Sequence, residues 1–203
     1  MEMTVITRPD YFSREGELIN KLFESGLQSL HLRKPVNDEL RFKKLMSEID
    51  PVNYPQLSIH QHHELAPVFD INRLHFTELH RKDMDAVERK ELLLRGCRLT
   101  TSVHEFESIA ELEDFTYVFF GPVFNSISKA GYSSKLKPNF VLPAHKNKIF
   151  AIGGITAGNL VKIRQMGFEG AAVLGAVWQQ AADPVAAAIQ LIKSINQIGN
   201  GDR

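Results

Sequence analysis

Two glycine-bearing segments, a hydroxyl–lysine loop and a scatter of histidines hold the chemical potential of this sequence. The first segment is Phe150-Ala151-Ile152-Gly153-Gly154-Ile155-Thr156, a strand-like apolar run that meets two glycines and then a helical pattern. Glycine lets backbone N–H groups approach an anion closely and point at it. The second is Gly170-Ala171-Ala172-Val173-Leu174, which runs into Gly175-Ala176-Val177 and another helical start. Two such turns in succession suit a phosphate, helped by the positive end of a helix. The plainer reading of Gly153 and Gly154 is a tight strand-to-helix turn. The loop Gly121-Pro122-Val123-Phe124-Asn125-Ser126-Ile127-Ser128-Lys129 follows the apolar run Tyr117–Phe120. Ser126, Ser128 and Lys129 offer two hydroxyls and a cation, a set that fits a phosphate or pyrophosphate. A solvated surface loop is the alternative.

There are 8 histidines. His60 and His62 raise the idea of a transition-metal site, but spacing secures no third ligand, so no metal ligands are assigned. His31, His60 and His75 are acid–base candidates, because imidazole titrates near neutrality. His31 and Arg33 share one side of their strand by its two-residue period. His31 is therefore expected to face the functional mouth. His104 reads as positioning the loop after its strand, His145 as a surface residue, and Cys97 as a buried structural thiol.

These residues are spread along an alternation of short apolar runs and helical patterns. Strands are expected at Met3–Ile6, Ser29–Arg33, Gln56–Ile59, Leu74–Phe76, Arg98–Ser102, Tyr117–Phe120, Ile149–Ile152 and Gly170–Leu174, each as apolar as a buried parallel strand. Helices are expected at Glu17–Glu24, Asp38–Ile49, His104–Leu112, Thr156–Met166 and Pro184–Ile198, with a short one at Glu64–Phe69. Asn37, Asp38 and Thr156 are capping types. The pattern predicts an α/β fold, a (β/α)8 TIM barrel with short helices, as a single domain over residues 1–203. An open doubly wound sheet is the rival. In such a barrel the functional face lies at the C-terminal strand ends. His31, Arg33, His60, His75, Ser102, Gly121, Gly153 and Leu174 should then ring one mouth.

Composition narrows the partners. The 203 residues hold 24 Lys+Arg and 24 Asp+Glu, and 43% are hydrophobic. This argues for a folded globular chain and against a nucleic-acid or anionic-membrane binder, which needs a basic surplus. One cysteine allows no internal disulfide and fits a cytoplasmic setting. The opening Met1-Glu2-Met3-Thr4 lacks the basic and long apolar regions of a signal peptide. No run approaches the roughly 18 apolar residues of a membrane span. Helices on the outside of a barrel leave room for a homo-oligomer, with no interface named by the sequence.

Six segments together carry a family resemblance. They are Leu30-His31-Leu32-Arg33-Lys34, Ile59-His60-Gln61-His62, Leu74-His75-Phe76, Ser102-Val103-His104, Gly121 to Lys129, and Ala151-Ile152-Gly153-Gly154-Ile155. The chain resembles thiamine-phosphate synthase and its relative TenI, the thiazole tautomerase. The resemblance implies a (β/α)8 barrel that joins a pyrimidine-methyl pyrophosphate to hydroxyethyl-thiazole phosphate, releasing pyrophosphate. It implies that Gly153 and Gly154, with backbone near Leu174 and Gly175, hold the thiazole phosphate. Arg33 matches the arginine that contacts pyrophosphate, Ser126, Ser128 and Lys129 match the family's hydroxyl-x-hydroxyl-lysine loop with serine where threonine is usual, and Ser102 matches the serine that ends strand five. It also implies magnesium held by aspartates. Here Gln61 and His80 stand where those aspartates are usual, and Glu78 or Asp83 substitutes only if the loop register shifts. The usual Gln-x-Arg-x-Lys reads His31-Leu32-Arg33-Lys34-Pro35, so its lysine is displaced or lost. Pro122 stands where TenI carries its proton-transfer histidine, which leaves His31 or His60 to act in its place. A TenI-like tautomerase and a non-catalytic thiazole-phosphate binder are the alternatives.

Overall fold

The structure is a computed structural model that describes residues 1–125, 134, 136, 137, 139–179 and 182–200. Eight parallel strands close into a barrel in sequence order. They are β1 (Glu2–Ile6), β2 (Leu30–Leu32), β3 (Leu57–Ile59), β4 (Arg73–Phe76), β5 (Arg98–Val103), β6 (Tyr117–Phe120), β7 (Ile149–Ile152) and β8 (Gly170–Val173). All eight expected strands are present, shifted by a residue or two at some ends. β8 pairs back onto β1, Met3 against Ala171 and Val5 against Val173. A buried hydrogen bond braces that closure: the Trp178 indole N–H donates to the Ile6 carbonyl at 2.8 Å.

The two-residue period of the strands sorts their side chains into two cores. Outward-facing Val5, Leu30, Leu32, Leu57, Ile59, Leu74, Leu99, Val118, Ile149 and Val173 join one cluster with the helices. Inward-facing Ile6, Tyr117, Phe119, Phe150 and Ala172 form a separate cluster inside the barrel, with Ile152 and Leu174 against it. This apolar packing occupies the lumen beside β1 and β6–β8. The lumen residues of β2–β5 are polar instead: His31, Ser58, His75 and Thr100 are all buried.

The outer layer is trimmed. It comprises α1 (Glu15–Glu24), α2 (Glu39–Glu48), α3 (Glu78–Asp83), α4 (Ala86–Leu94), α5 (Leu160–Gln165), α6 (Gly175–Trp178) and α7 (Pro184–Asn200). Asp38 caps α2, accepting from the Arg41 N–H at 3.0 Å. The expected helix His104–Leu112 is instead a 3-10 helix over Phe106–Glu111. Three residues per turn put Phe106, Ile109 and Leu112 on one face, where they meet the outer core. Pro51–Gln56 and His63–Phe69 are 3-10 as well, and Thr156–Met166 begins with a 3-10 turn at Ala157–Asn159. Helices α3 and α4 were not foreseen. Neither buries a residue, so the sequence shows no apolar stripe there.

Candidate functional site

The C-terminal strand ends bring His31, Arg33, His60, His75, Ser102, Gly121, Gly153 and Leu174 to one end of the barrel, at two depths. Arg33, Ser102 and Leu174 are half-buried near the rim. His31 sits below them and is fully buried, with His75 at 2% and His60 at 7% exposure. His31 thus points inward, the side its strand period had suggested, but lies below the mouth and not at it. It plugs the lumen beneath. The period fixes inside against outside, but not depth.

The imidazoles are linked. His31 Nδ1 and His60 Nε2 share a hydrogen bond of 2.9 Å. The other His31 nitrogen bonds the Tyr117 hydroxyl. The His75 ring stacks on His60 at 4.0 Å and is held by the Thr100 hydroxyl at 2.9 Å and the Ser102 hydroxyl at 3.1 Å. Phe119 closes the group from β6, its ring 4.7 Å from that of His31. Burial pushes the His31 and His60 imidazoles well below their ordinary range and His75 down to about 3. Nearby Arg33 adds to the effect at His60 and His75, and Arg73 does so at His31. At neutral pH all three rings are neutral. Tyr117 and Thr100 belong to this site and were missed. Tyr117 reads as one more aromatic in an apolar run, although it has the inward parity of Phe119.

Arg33 keeps its guanidinium free of ion pairs among the described residues, while its backbone is fixed by Thr7, whose hydroxyl accepts the Arg33 N–H at 2.9 Å. Lys34 has a different fate. Its side chain is 0% exposed and its ammonium lies 2.6 Å from Glu15, itself 1% exposed. It also donates to the Arg8 and Asp10 carbonyls at 2.9 and 2.8 Å. Lys34 thus ties the loop after β1 to the end of β2 and has no N–H left for a substrate.

At β7, Gly153 and Gly154 have φ of 96° and 65°, the left-handed region that favours glycine. A Cβ on Gly153 would lie 2.8 Å from the Cα of Pro122, and one on Gly154 would lie 2.5 Å from the Asn125 carbonyl. The loop after β6 lies directly on these glycines, with the Phe124 N–H donating to the Gly153 carbonyl at 3.1 Å. His104, expected to serve its own loop, reaches across instead: its Nδ1–H donates to the Gly121 carbonyl at 2.7 Å. Leu174 precedes α6, which Gly175 opens. Ser126, Ser128 and Lys129 lie outside the described residues. His145 is held by the Pro143 carbonyl and Glu169, and Cys97 is half-buried, more open than expected.

Magnesium calls for hard oxygen ligands. The Gln61 amide oxygen already accepts the Lys34 N–H at 2.7 Å. His80 offers nitrogen, and its ring is stacked 5.9 Å from His63. Glu78 is paired with Lys82 at 2.8 Å, and Asp83 closes α3 five residues further on. These donors do not make a magnesium site.

With this geometry in place, known proteins supply a frame. A family model described as "Thiamine monophosphate synthase" matches residues 3–177. A thiamine-phosphate synthase of Prochlorococcus marinus is 28% identical over 143 residues, covering 66% of this chain and 39% of that protein. One of Leuconostoc citreum is 24% identical over 176 residues, covering 80% of each. The chain thus spans well under half the length of the first relative and most of the second. The crystal structure of a thiamine phosphate pyrophosphorylase from Bacteroides thetaiotaomicron superposes with a TM-score of 0.71 at 23% identity, covering 100% of both chains, a likeness of fold. No helix among the described residues is long and apolar enough to cross a membrane. The family match over most of its length settles the kinship: the chain belongs to the thiamine monophosphate synthase family.

Proposed function

We propose that this chain couples a pyrimidine-methyl pyrophosphate to hydroxyethyl-thiazole phosphate, giving thiamine phosphate and pyrophosphate. One observation carries the reading: the left-handed Gly153-Gly154 turn after β7 and the Gly175 helix start after β8 lie at the same barrel end as Arg33, whose guanidinium has no ion pair among the described residues. Backbone N–H groups at the two turns take the thiazole phosphate. Arg33, with Ser126, Ser128 and Lys129, takes the pyrophosphate. Ser102, held by His75, lines the space between.

The carbon–oxygen bond of the pyrimidine-methyl pyrophosphate breaks first, and pyrophosphate leaves with the electron pair. The resulting pyrimidine-methyl cation is captured by the thiazole nitrogen lone pair. No proton is consumed in the bond exchange. Catalysis is then positioning plus neutralisation of the departing charge. An arginine fixed at the backbone by Thr7 supplies that neutralisation with little reorganisation. No step is routed through magnesium, because Gln61, His80, Glu78 and Asp83 do not make a donor set for it.

Neutral His31 and His60 are buried under the mouth and have no substrate proton within their reach in this scheme. Their part is to shape the floor. The test is turnover: full-length protein with both substrates should release thiamine phosphate and pyrophosphate in equal amounts. Arg33→Ala should lower kcat/KM by roughly 100-fold or more. Tight binding of both substrates without product would overturn the proposal and favour the non-catalytic binder.

A further inference from the structure

The three lumen histidines arrive from adjacent strands: His31 within β2, His60 just past β3, and His75 within β4. One ring nitrogen of each lies within 4.8 Å of the others. A tetrahedral ion with nitrogen ligands at about 2.0–2.1 Å holds those nitrogens roughly 3.3 Å apart. The His31–His60 pair at 2.9 Å is slightly inside that spacing. Binding requires the other nitrogens to close from within 4.8 Å to that spacing. The proton that His31 and His60 share moves to the outer nitrogen of its own ring when the ion binds, so each ring ligates as a neutral imidazole.

Metal-bound imidazoles are characteristically held through the other nitrogen. That second layer is present at two of the three rings, His31 and His75. The Tyr117 hydroxyl holds the far side of His31, and His75 has a hydroxyl on each nitrogen, so one remains when the other turns away. The set is nitrogen only, which suits zinc-type ions and not magnesium or calcium.

We propose that His31, His60 and His75 form a binding site for a first-row transition-metal dication of the zinc type. Three neutral ligands leave its charge uncompensated, and Arg33 at the same end adds more of the same sign. The remaining coordination position is therefore filled by an anionic oxygen, from hydroxide or from a phosphate group at the mouth. The site rests on the three imidazoles and stands whether or not the coupling reaction is the right one.

The test is a titration of chelator-treated, full-length protein with Co²⁺ at neutral pH, followed by visible absorption. One equivalent should produce the intense band of a four-coordinate ion, and Tm should rise with metal concentration. His60→Gln and His75→Gln should lose the band. The double variant His63→Gln/His80→Gln, which alters the other stacked histidine pair, should keep it. Absence of stoichiometric uptake overturns the proposal. So does uptake that survives His60→Gln and disappears in the double variant. If the lumen variants unfold, ring-nitrogen spectra of the unaltered protein with Zn²⁺ decide the matter. Shifts at three imidazoles that include His31, His60 and His75 support the site, and their absence refutes it.

Discussion

Replacing Lys34 by methionine isolates one buried charge. The change removes an ammonium 2.6 Å from Glu15, with the two side chains 0% and 1% exposed. Glu15 Oε2 has no hydrogen-bond partner even in the intact pair. Burial already pushes the Glu15 carboxyl above its ordinary value of 4.5, and Lys34 opposes the shift. Without Lys34 the carboxylate is left uncompensated, and its cheapest relief is to take up a proton. Holding it neutral at pH 7 costs about 3.4 kcal/mol, at about 1.36 kcal/mol per pH unit above 4.5. The Arg8 and Asp10 carbonyls lose a donor too, which brings the total to about 4–5 kcal/mol, within the range for breaking a buried pair. The sign of the pH dependence follows. A folded-state pKa raised above the unfolded value is harmless below the unfolded value and costs stability as pH rises. Urea denaturation of wild type and Lys34→Met should therefore show a gap at pH 7 that shrinks by about 2–3 kcal/mol at pH 5. Glu15→Leu/Lys34→Met, which buries no charge, should recover most of the loss. A single-variant cost below about 1 kcal/mol, or an equal cost at both pH values, would refute this account of Lys34.

Further outcomes follow from the lumen and the loops. In chelator-treated protein, His31, His60 and His75 are held below their ordinary value of 6.5, so their contribution is present above that pH and lost as pH falls. Stability should therefore fall as pH drops from 7 to 5, because the unfolded chain binds protons that the buried rings do not. A flat urea midpoint from pH 7 to 5 would contradict it. Gly154→Ala forces an L-residue to φ 65° and a Cβ to 2.5 Å from the Asn125 carbonyl. It should cost about 1–3 kcal/mol and weaken thiazole-phosphate binding measured by calorimetry. Trp178→Phe removes the indole bond to the Ile6 carbonyl. A loss of about 1–3 kcal/mol is expected in urea denaturation, because that carbonyl stays buried.

The barrel was legible because each buried strand writes a short apolar run, and Tyr117–Phe120 and Ile149–Ile152 match to the residue. Helix α4 was not legible, because none of its residues is fully buried and only Leu92 and Leu93, adjacent in sequence, pack against the outer core, which leaves no helical period. At the site, residue type singled out Arg33, His31, His60 and the paired glycines, and the strand order brings them to one barrel end. It did not show how far into the barrel each histidine lies, which depends on the stagger between neighbouring strands. Nor did it show that Lys34 turns toward Glu15, since that contact joins residues nineteen apart across the β1 loop. The glycines served a second demand that local pattern hides: they let the Pro122–Asn125 backbone lie on β7.

A structure of the full-length chain crystallised with hydroxyethyl-thiazole phosphate and an unreactive pyrimidine-methyl pyrophosphate analogue tests the central claim most directly. The thiazole phosphate should sit against the backbone N–H groups of Gly153, Gly154 and Gly175. The diphosphate should lie on Arg33, with the thiazole nitrogen facing the pyrimidine methylene carbon. A thiazole phosphate bound elsewhere, such as between Lys82 and His104 beside β4, or a diphosphate that leaves Arg33 untouched, would contradict the account.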